Sequence, residues 1–233
     1  NSCDNTSSSA VSDGWKISLE RKVVSSSELG FTGSTAQAYP FVYIDEDGTE
    51  HYLKQSDEQN AYEDEDGLGI TYYPASGNNN AYLEDLSNNK IEFNSNGYMI
   101  SCTDSNNNKI TVEYNENGKI SKATDGSGKD FVFSYANSKL SKITEKISDD
   151  GTDDKITEFG YTDGNLTEIE YPNGTVSTYG YSTDRNGNDI LSSAEANDGA
   201  KLTFSYSSSY LNDISTVMEY GGTYEKEPYY FNR

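Results

Sequence analysis

At 233 residues the chain is long enough for one large all-β domain or two small ones. Its 17 basic against 39 acidic residues, a net charge of −22, exclude a nucleic-acid binder that works by neutralising phosphates and disfavour an anionic membrane surface. Acidic chains poor in aromatics stay disordered, but 20 Tyr, 8 Phe and 1 Trp at regular places mark this one as folded.

Residues 1–13 are polar and Ser-rich and read as a flexible leader. They carry Cys3, one of two cysteines. No signal peptide, C-terminal sorting signal or apolar run of about 18 residues is present, so no membrane insertion is expected within this chain. The first residue is Asn1, and the expectation is a piece of a longer protein whose targeting signals lie outside it. Residues 14–89 form an N-terminal β lead-in. Trp15, Ile17 and Leu19 alternate with polar neighbours, which predicts a half-buried strand. Residues 25–37 read as a loop. Phe41–Ile44 and Glu50–Leu53 flank Asp45–Gly48, a hairpin with a four- or five-residue turn. Strands are predicted at Leu68–Tyr73 and Ala81–Leu83, and a further strand carries Ile91 and Phe93.

From residue 90 to 219 the chain repeats itself. Phe93, Tyr114, Tyr135, Tyr161, Tyr181 and Tyr206 each end an apolar strand, at intervals of 21, 21, 26, 20 and 25 residues. A period in this range signals stacked units that cannot bury their faces alone. Asn96-Gly97, Asn117-Gly118, Asp163-Gly164, Asn173-Gly174, Asn186-Gly187 and Asp198-Gly199 supply the positive φ that tight hairpins need. Ile110, Val112 and Tyr114 share one strand face, as do Phe131, Phe133 and Tyr135, and Leu202, Phe204 and Tyr206. Ile120 and Ala123, Leu140 and Ile143, and Leu166 and Ile169 stand three apart instead. Either a bulge re-aims one of each pair or both sheet faces are partly covered. Successive hairpins without crossover helices make an antiparallel meander. The predicted fold is therefore all-β: repeated hairpins in an open, curved sheet. Residues 220–233 leave the repeat pattern and read as a terminal cap or the start of the next repeat.

The opening Tyr114-Asn115-Glu116-Asn117-Gly118-Lys119-Ile120, and its counterpart Tyr161 to Leu166, resemble the YD repeats of the RHS/YD-repeat family, with Y-x-x-[ND]-G-x-[IL] and then a T-D-x-x-G turn. The likeness covers residues 90–216. The Tyr-Asp pair that names the repeat is here Tyr114-Asn115, Tyr135-Ala136, Tyr161-Thr162 and Tyr181-Ser182, and two units carry insertions at 149–154 and 184–189. Gly14 to Leu19 and Tyr43 to Tyr52 are similar to the lead-in region of Gram-positive wall-associated proteins of this kind. In such a family the strands wind into a hollow shell. The five repeats here are too few to close one, and the Asp-Pro-x-Gly-Leu type of self-cleavage motif is absent.

No catalytic set emerges, so the chain is expected not to be an enzyme, and no cofactor is implied. His51 is the only histidine, read as an exposed strand residue, and no partner at ligand spacing makes a metal site with it. Asp184 to Asp189 alternates oxygen ligands but lacks the Gly and Glu placement of a calcium loop, and reads as a turn. Carboxylate pairs are too many for any one to be selected as a glycosidase pair. Cys102 occupies the repeat position held elsewhere by Ala123, Ile143 and Ile169. It reads as a small core residue, with a disulfide to Cys3 as the alternative.

The repeat aromatics read as core. Tyr72, Tyr73, Tyr82, Tyr229 and Tyr230, with Phe231, fall outside the repeat register and are the candidates for an exposed binding patch. The expected function is a non-enzymatic binding module of a secreted or wall-attached bacterial surface protein, from a Gram-positive source. Its expected partner is an extracellular protein such as a host immunoglobulin or glycoprotein. The alternatives are part of an RHS-type shell around a C-terminal toxin domain, which the resemblance implies, and a glycan-binding module.

Overall fold

A computed structural model describes Val11, residues 14–206 and the backbone of three further strands, Ile214–Gly221, Tyr224–Glu225 and Tyr229–Tyr230. Apart from Val11 the leader, with Cys3, lies outside the described residues, as does Phe231. The fold is all-β and antiparallel, an open sheet of successive hairpins. Contacts divide it into two compact units, residues 1–133 with 145–152, and residues 134–144 with 153–233.

In the first unit the strands are β1 (Lys22–Ser25), β2 (Phe41–Ile44), β3 (Glu50–Gln55), β4 (Tyr62–Asp64), β5 (Ile70–Tyr73), β6 (Ala81–Asp85), β7 (Lys90–Phe93), β8 (Met99–Thr103), β9 (Lys109–Tyr114), β10 (Ile120–Thr124) and the first four residues of β11 (Asp130–Ala136), whose last three belong to the second unit. Each pairs antiparallel with the next. The predicted strand at Trp15–Leu19 is not one. The Ile17 amide donates to the Glu20 carboxylate and the Glu20 amide to the Ile17 carbonyl, closing a turn there, and the first strand begins at Lys22. The predicted loop holds a 3₁₀ turn, Ser26–Leu29, and one short helix, α1 (Gly33–Ala38). Beyond its pairing with β2, β1 meets the start of β8. The Val23 amide donates to the Gly97 carbonyl and the Met99 amide to that of Arg21, with Lys22 opposite Tyr98. Val42, Leu53, Leu83, Phe93, Met99 and Ile120 are buried in this unit's core.

The second unit contains β12 (Lys139–Glu145), β13 (Lys155–Thr162), β14 (Asn165–Glu170), β15 (Val176–Thr183), β16 (Asp189–Glu195), β17 (Lys201–Tyr206), β18 (Ile214–Gly221), β19 (Tyr224–Glu225) and β20 (Tyr229–Tyr230). From β13 to β18 each strand again pairs with its successor, and β18 also pairs with β19 and β20. Among its described residues only Leu140, Leu166 and Ser177 are buried.

A bulge settles the three-residue spacing. Tyr161 faces Leu166 while Gly160 faces Glu168, so Thr167 is an extra residue in β14. The same shift makes Ile100, Ser121, Ser192 and Ser215 extra residues at Phe93, Tyr114, Tyr181 and Tyr206. One unpaired residue restores the alternation, so Ile120 and Ala123 both point inward and both are buried.

Four of the repeat aromatics are fixed at their tips as well as by their rings. The hydroxyls of Tyr114, Tyr161, Tyr181 and Tyr206 donate to the carbonyls of Met99, Leu140, Leu166 and Leu191 at 2.7, 2.7, 2.7 and 2.6 Å. Each bond reaches the beginning of the strand that precedes the tyrosine's own strand in the chain. It adds a tie to the array where the bulges weaken the ladder.

Candidate functional site

The Asn-Gly and Asp-Gly signals form two kinds of turn. Asp163 and Gly164 both take positive φ, as do Asn137 and Ser138, the conformation of a two-residue hairpin loop. The others are longer. In nine turns the first residue donates its amide to the carbonyl four residues on and accepts the amide three residues on. These start at Asp45, Asp85, Asn94, Asp104, Asn115, Asp125, Tyr171, Asp184 and Ala196. In seven of them the opening Asp or Asn also accepts the amides two and four residues on through its Oδ1. This explains the departures from the Tyr-Asp pair. Asn115 takes the role of the Asp, whereas Ala136 and Thr162 precede two-residue loops that do not need it. Hydrogen bonds from Asn108, from Ser127 and from the Asn188 amide hold the Asp104, Asp125 and Asp184 carboxyls below the usual carboxylate range. Asp184 is thus a turn residue, and among the described residues no cluster of three or more His, Cys, Asp or Glu is arranged for a metal ion.

His51 is not exposed. Only 6 % of its surface meets solvent, and on β3 it stacks on Tyr43 with ring centroids 5.9 Å apart. Its Nε2 lies 2.9 Å from Asp45 Oδ2 and its Nδ1 3.5 Å from Asp66 Oδ2. Alternation decides this: His51 pairs with Tyr43, which faces the core, and an imidazole between two carboxylates can be buried there. Lys16 reaches the same turn through a hydrogen bond from its ammonium to the Asp45 carbonyl, and burial pushes that ammonium down. Burial pushes the Tyr43 phenol up. The group as a whole pins the turn after β2. Cys102 carries a free, half-buried thiol opposite Ile91 and Ile110 on the inner face, raised by burial.

Of the five candidate tyrosines, Tyr72 belongs to the core. It is buried against Phe41 at 5.0 Å and Phe93 at 6.5 Å, because its register places it opposite buried Leu83. Tyr73 and Tyr82 are half-exposed on the opposite face, where they pair across β5 and β6 and stack at 4.7 Å and 19°. The Lys90 ammonium lies 4.1 Å from the Tyr82 ring centre. Tyr229 and Tyr230 stand opposite Val217 and Thr216 by backbone pairing on β20.

The outer face continues from Tyr82 to Glu92 and Ser101 in one row, and from Glu84 to Lys90, Thr103 and Lys109 in the next. Glu92 is its hub. It accepts from the Ser101 hydroxyl at 2.9 Å and lies 3.2 and 3.4 Å from the ammonium groups of Lys90 and Lys109. Desolvation opposes its ionisation, yet these partners hold it below the usual carboxylate range. Beside it a depression of about 440 Å³ opens between the turns at Asp85 and Asp104. Sequence reasoning picked out Tyr73 and Tyr82 on this face but not the depression.

No family model and no curated protein sequence matches this chain. Among solved structures it is similar to the crystal structure of TcdB2-TccC3, at 11 % identity and a TM-score of 0.38 over 89 % of this chain and 13 % of that one. It is also similar to a porin-like protein from Bacteroides uniformis, at 14 % identity and a TM-score of 0.37 over 86 % of this chain and 92 % of that one. TcdB2-TccC3 without its hypervariable C-terminal region aligns at 7 % identity and a TM-score of 0.24, over 83 % of this chain and 14 % of that one. The chain spans about an eighth of the TcdB2-TccC3 length.

Proposed function

We propose that this chain is a non-enzymatic β-repeat binding module of a larger secreted or wall-attached bacterial surface protein, and that it engages an extracellular protein. The observation that supports this reading is the inner face of β13 to β17. Phe159, Ile169, Tyr179, Ala194, Leu202 and Phe204 line it by cross-strand register, none of them is buried, and Leu202 is 37 % exposed. An apolar sheet face left half open to water favours a partner that covers it. Two copies of this chain would repel, each carrying −22, so the partner is a different protein. A host immunoglobulin or glycoprotein fits an extracellular setting. The test exposes the purified protein to serum and mucosal secretions and compares it with Tyr179→Ser/Leu202→Ser. One dominant captured protein that the double variant no longer retains supports the reading; a blank, or capture indifferent to the variant, overturns it.

A second reading has its own support. The tyrosine hydroxyl bonds link only adjacent strands, so nothing in a unit limits how many more can be added. Such an array could continue as an RHS-type shell around a C-terminal toxin domain. A longer chain would then shield that domain from protease, and its complete digestion would exclude the shell.

A further inference from the structure

Seven of the nine long turns place Gly at the left-handed position: Gly48, Gly97, Gly118, Gly128, Gly174, Gly187 and Gly199. The remaining two use Asn88, at φ 61°, and Asn107, at φ 65°. Asn tolerates this conformation, which Gly accepts freely, so at these two turns a side-chain amide stands where the others carry none. Both asparagines line the same place, the depression beside Glu92. The two turns are locked together by the Ser105 amide donating to Asn89 Oδ1 at 3.1 Å. The Asn89 and Asn108 side-chain amides in turn donate to Asp85 and Asp104 at 2.7 Å each. The depression at Tyr171 and Ala196 also opens between two neighbouring turns, yet Gly174 and Gly199 keep the left-handed positions there.

From this juxtaposition we infer that the depression between the turns at Asp85 and Asp104 binds a neutral saccharide, with the Asn88 and Asn107 amides, Lys90, Lys109 and Glu92 as its hydrogen-bonding groups. The chemistry selects the ligand class. A sugar hydroxyl donates and accepts at once, and each asparagine amide offers both roles. Lys90 and Lys109 supply donors, and Glu92 and Asp104 supply acceptors. The two cations balance the two anions, so an anionic ligand gains nothing here and meets the chain's −22 charge. The lining contains no apolar side chain, which disfavours a peptide anchor. This inference stands apart from the protein-docking reading, which concerns the inner face of β13 to β17.

The test uses the full chain and a panel of neutral trisaccharides built on glucose, galactose, mannose and N-acetylglucosamine, with hyaluronan as the anionic comparison. Binding is monitored by ¹H–¹⁵N NMR at the Asn88 and Asn107 side-chain amides and, in every variant, at the backbone amides of residues 88–92 and 103–109. The expected result is a saturable shift of both amides by a neutral member. Asn88→Gly/Asn107→Gly should weaken it at least tenfold while the melting temperature and backbone spectrum are kept, since Gly suits both positions. Glu92→Gln should weaken it independently. No neutral member bound, an unchanged affinity in the double glycine variant, or preference for hyaluronan would each overturn the inference, and none of these touches the partner-capture result.

Discussion

Tyr181→Phe isolates one bond of the repeat. The ring, its packing and the bulge at Ser192 all stay, and only the hydroxyl that donates to the Leu166 carbonyl at 2.7 Å is lost. Leu166 is 1 % exposed, so water does not readily replace the donor. A buried acceptor left without its partner costs about 1–3 kcal/mol. Tyr161→Phe deprives the carbonyl of Leu140, equally buried, and should cost the same about 1–3 kcal/mol. Tyr206→Phe frees the carbonyl of half-exposed Leu191, where water can enter, and should cost only about 0.5–1.5 kcal/mol. All three lie in the second unit, so they share one transition in urea. Monitored by far-ultraviolet circular dichroism, the midpoints of Tyr161→Phe and Tyr181→Phe should fall further than that of Tyr206→Phe, at constant slope. A reversed order, or three losses all below about 0.5 kcal/mol, would show that the hydroxyls do not hold the array together.

Three further outcomes rest on the same geometry. Gly97→Ala should cost more than about 4 kcal/mol, whereas Gly118→Ala should cost about 1–2. Both have positive φ, but a Cβ on Gly97 would sit 2.0 Å from the Val23 carbonyl oxygen, while Gly118 has open space; equal losses in thermal melts would refute the role of the β1–β8 contact. Deleting Thr167, the bulge residue, leaves Leu166 and Ile169 on one face by ordinary alternation, so a cooperative fold should survive. Deleting Thr178 from unbulged β15 should abolish it, and similar urea curves for the two deletions would sink the bulge argument. Burial raises the phenols of Tyr72 and Tyr161 to about 12, above the ordinary value near 10. A raised folded value means their contribution is intact below about pH 10 and disappears as pH rises from there through about 12. Tyrosinate absorbance and circular dichroism should therefore change together in that window, and urea midpoints unchanged between about pH 9 and 11.5 would contradict it.

The sequence alone determined what is local. Most left-handed turn positions carry Gly, Asn or Asp, strand faces alternate, and an aromatic recurs near the end of every second strand; all of this can be read from residues 93 to 206. What depends on the opposite strand could not be read. Leu166 and Ile169 share a face only because the partner strand leaves Thr167 unpaired, and nothing within β14 reports that. His51 reads as exposed beside Glu50 and Tyr52, but its register with Tyr43 turns it inward between Asp45 and Asp66, two carboxylates from separate turns. Tyr72 and Tyr73 are adjacent in the chain and equal in composition, and the sheet sends one to the core and the other to its outer face. The depression at Asn88 and Asn107 had a signal in the chain, Asn where other turns carry Gly. Only the pairing of β7, β8 and β9 brought those two positions, 19 residues apart, to the same place. Turn conformation is a property of a few consecutive residues, whereas a site is a property of register, and register is set between strands.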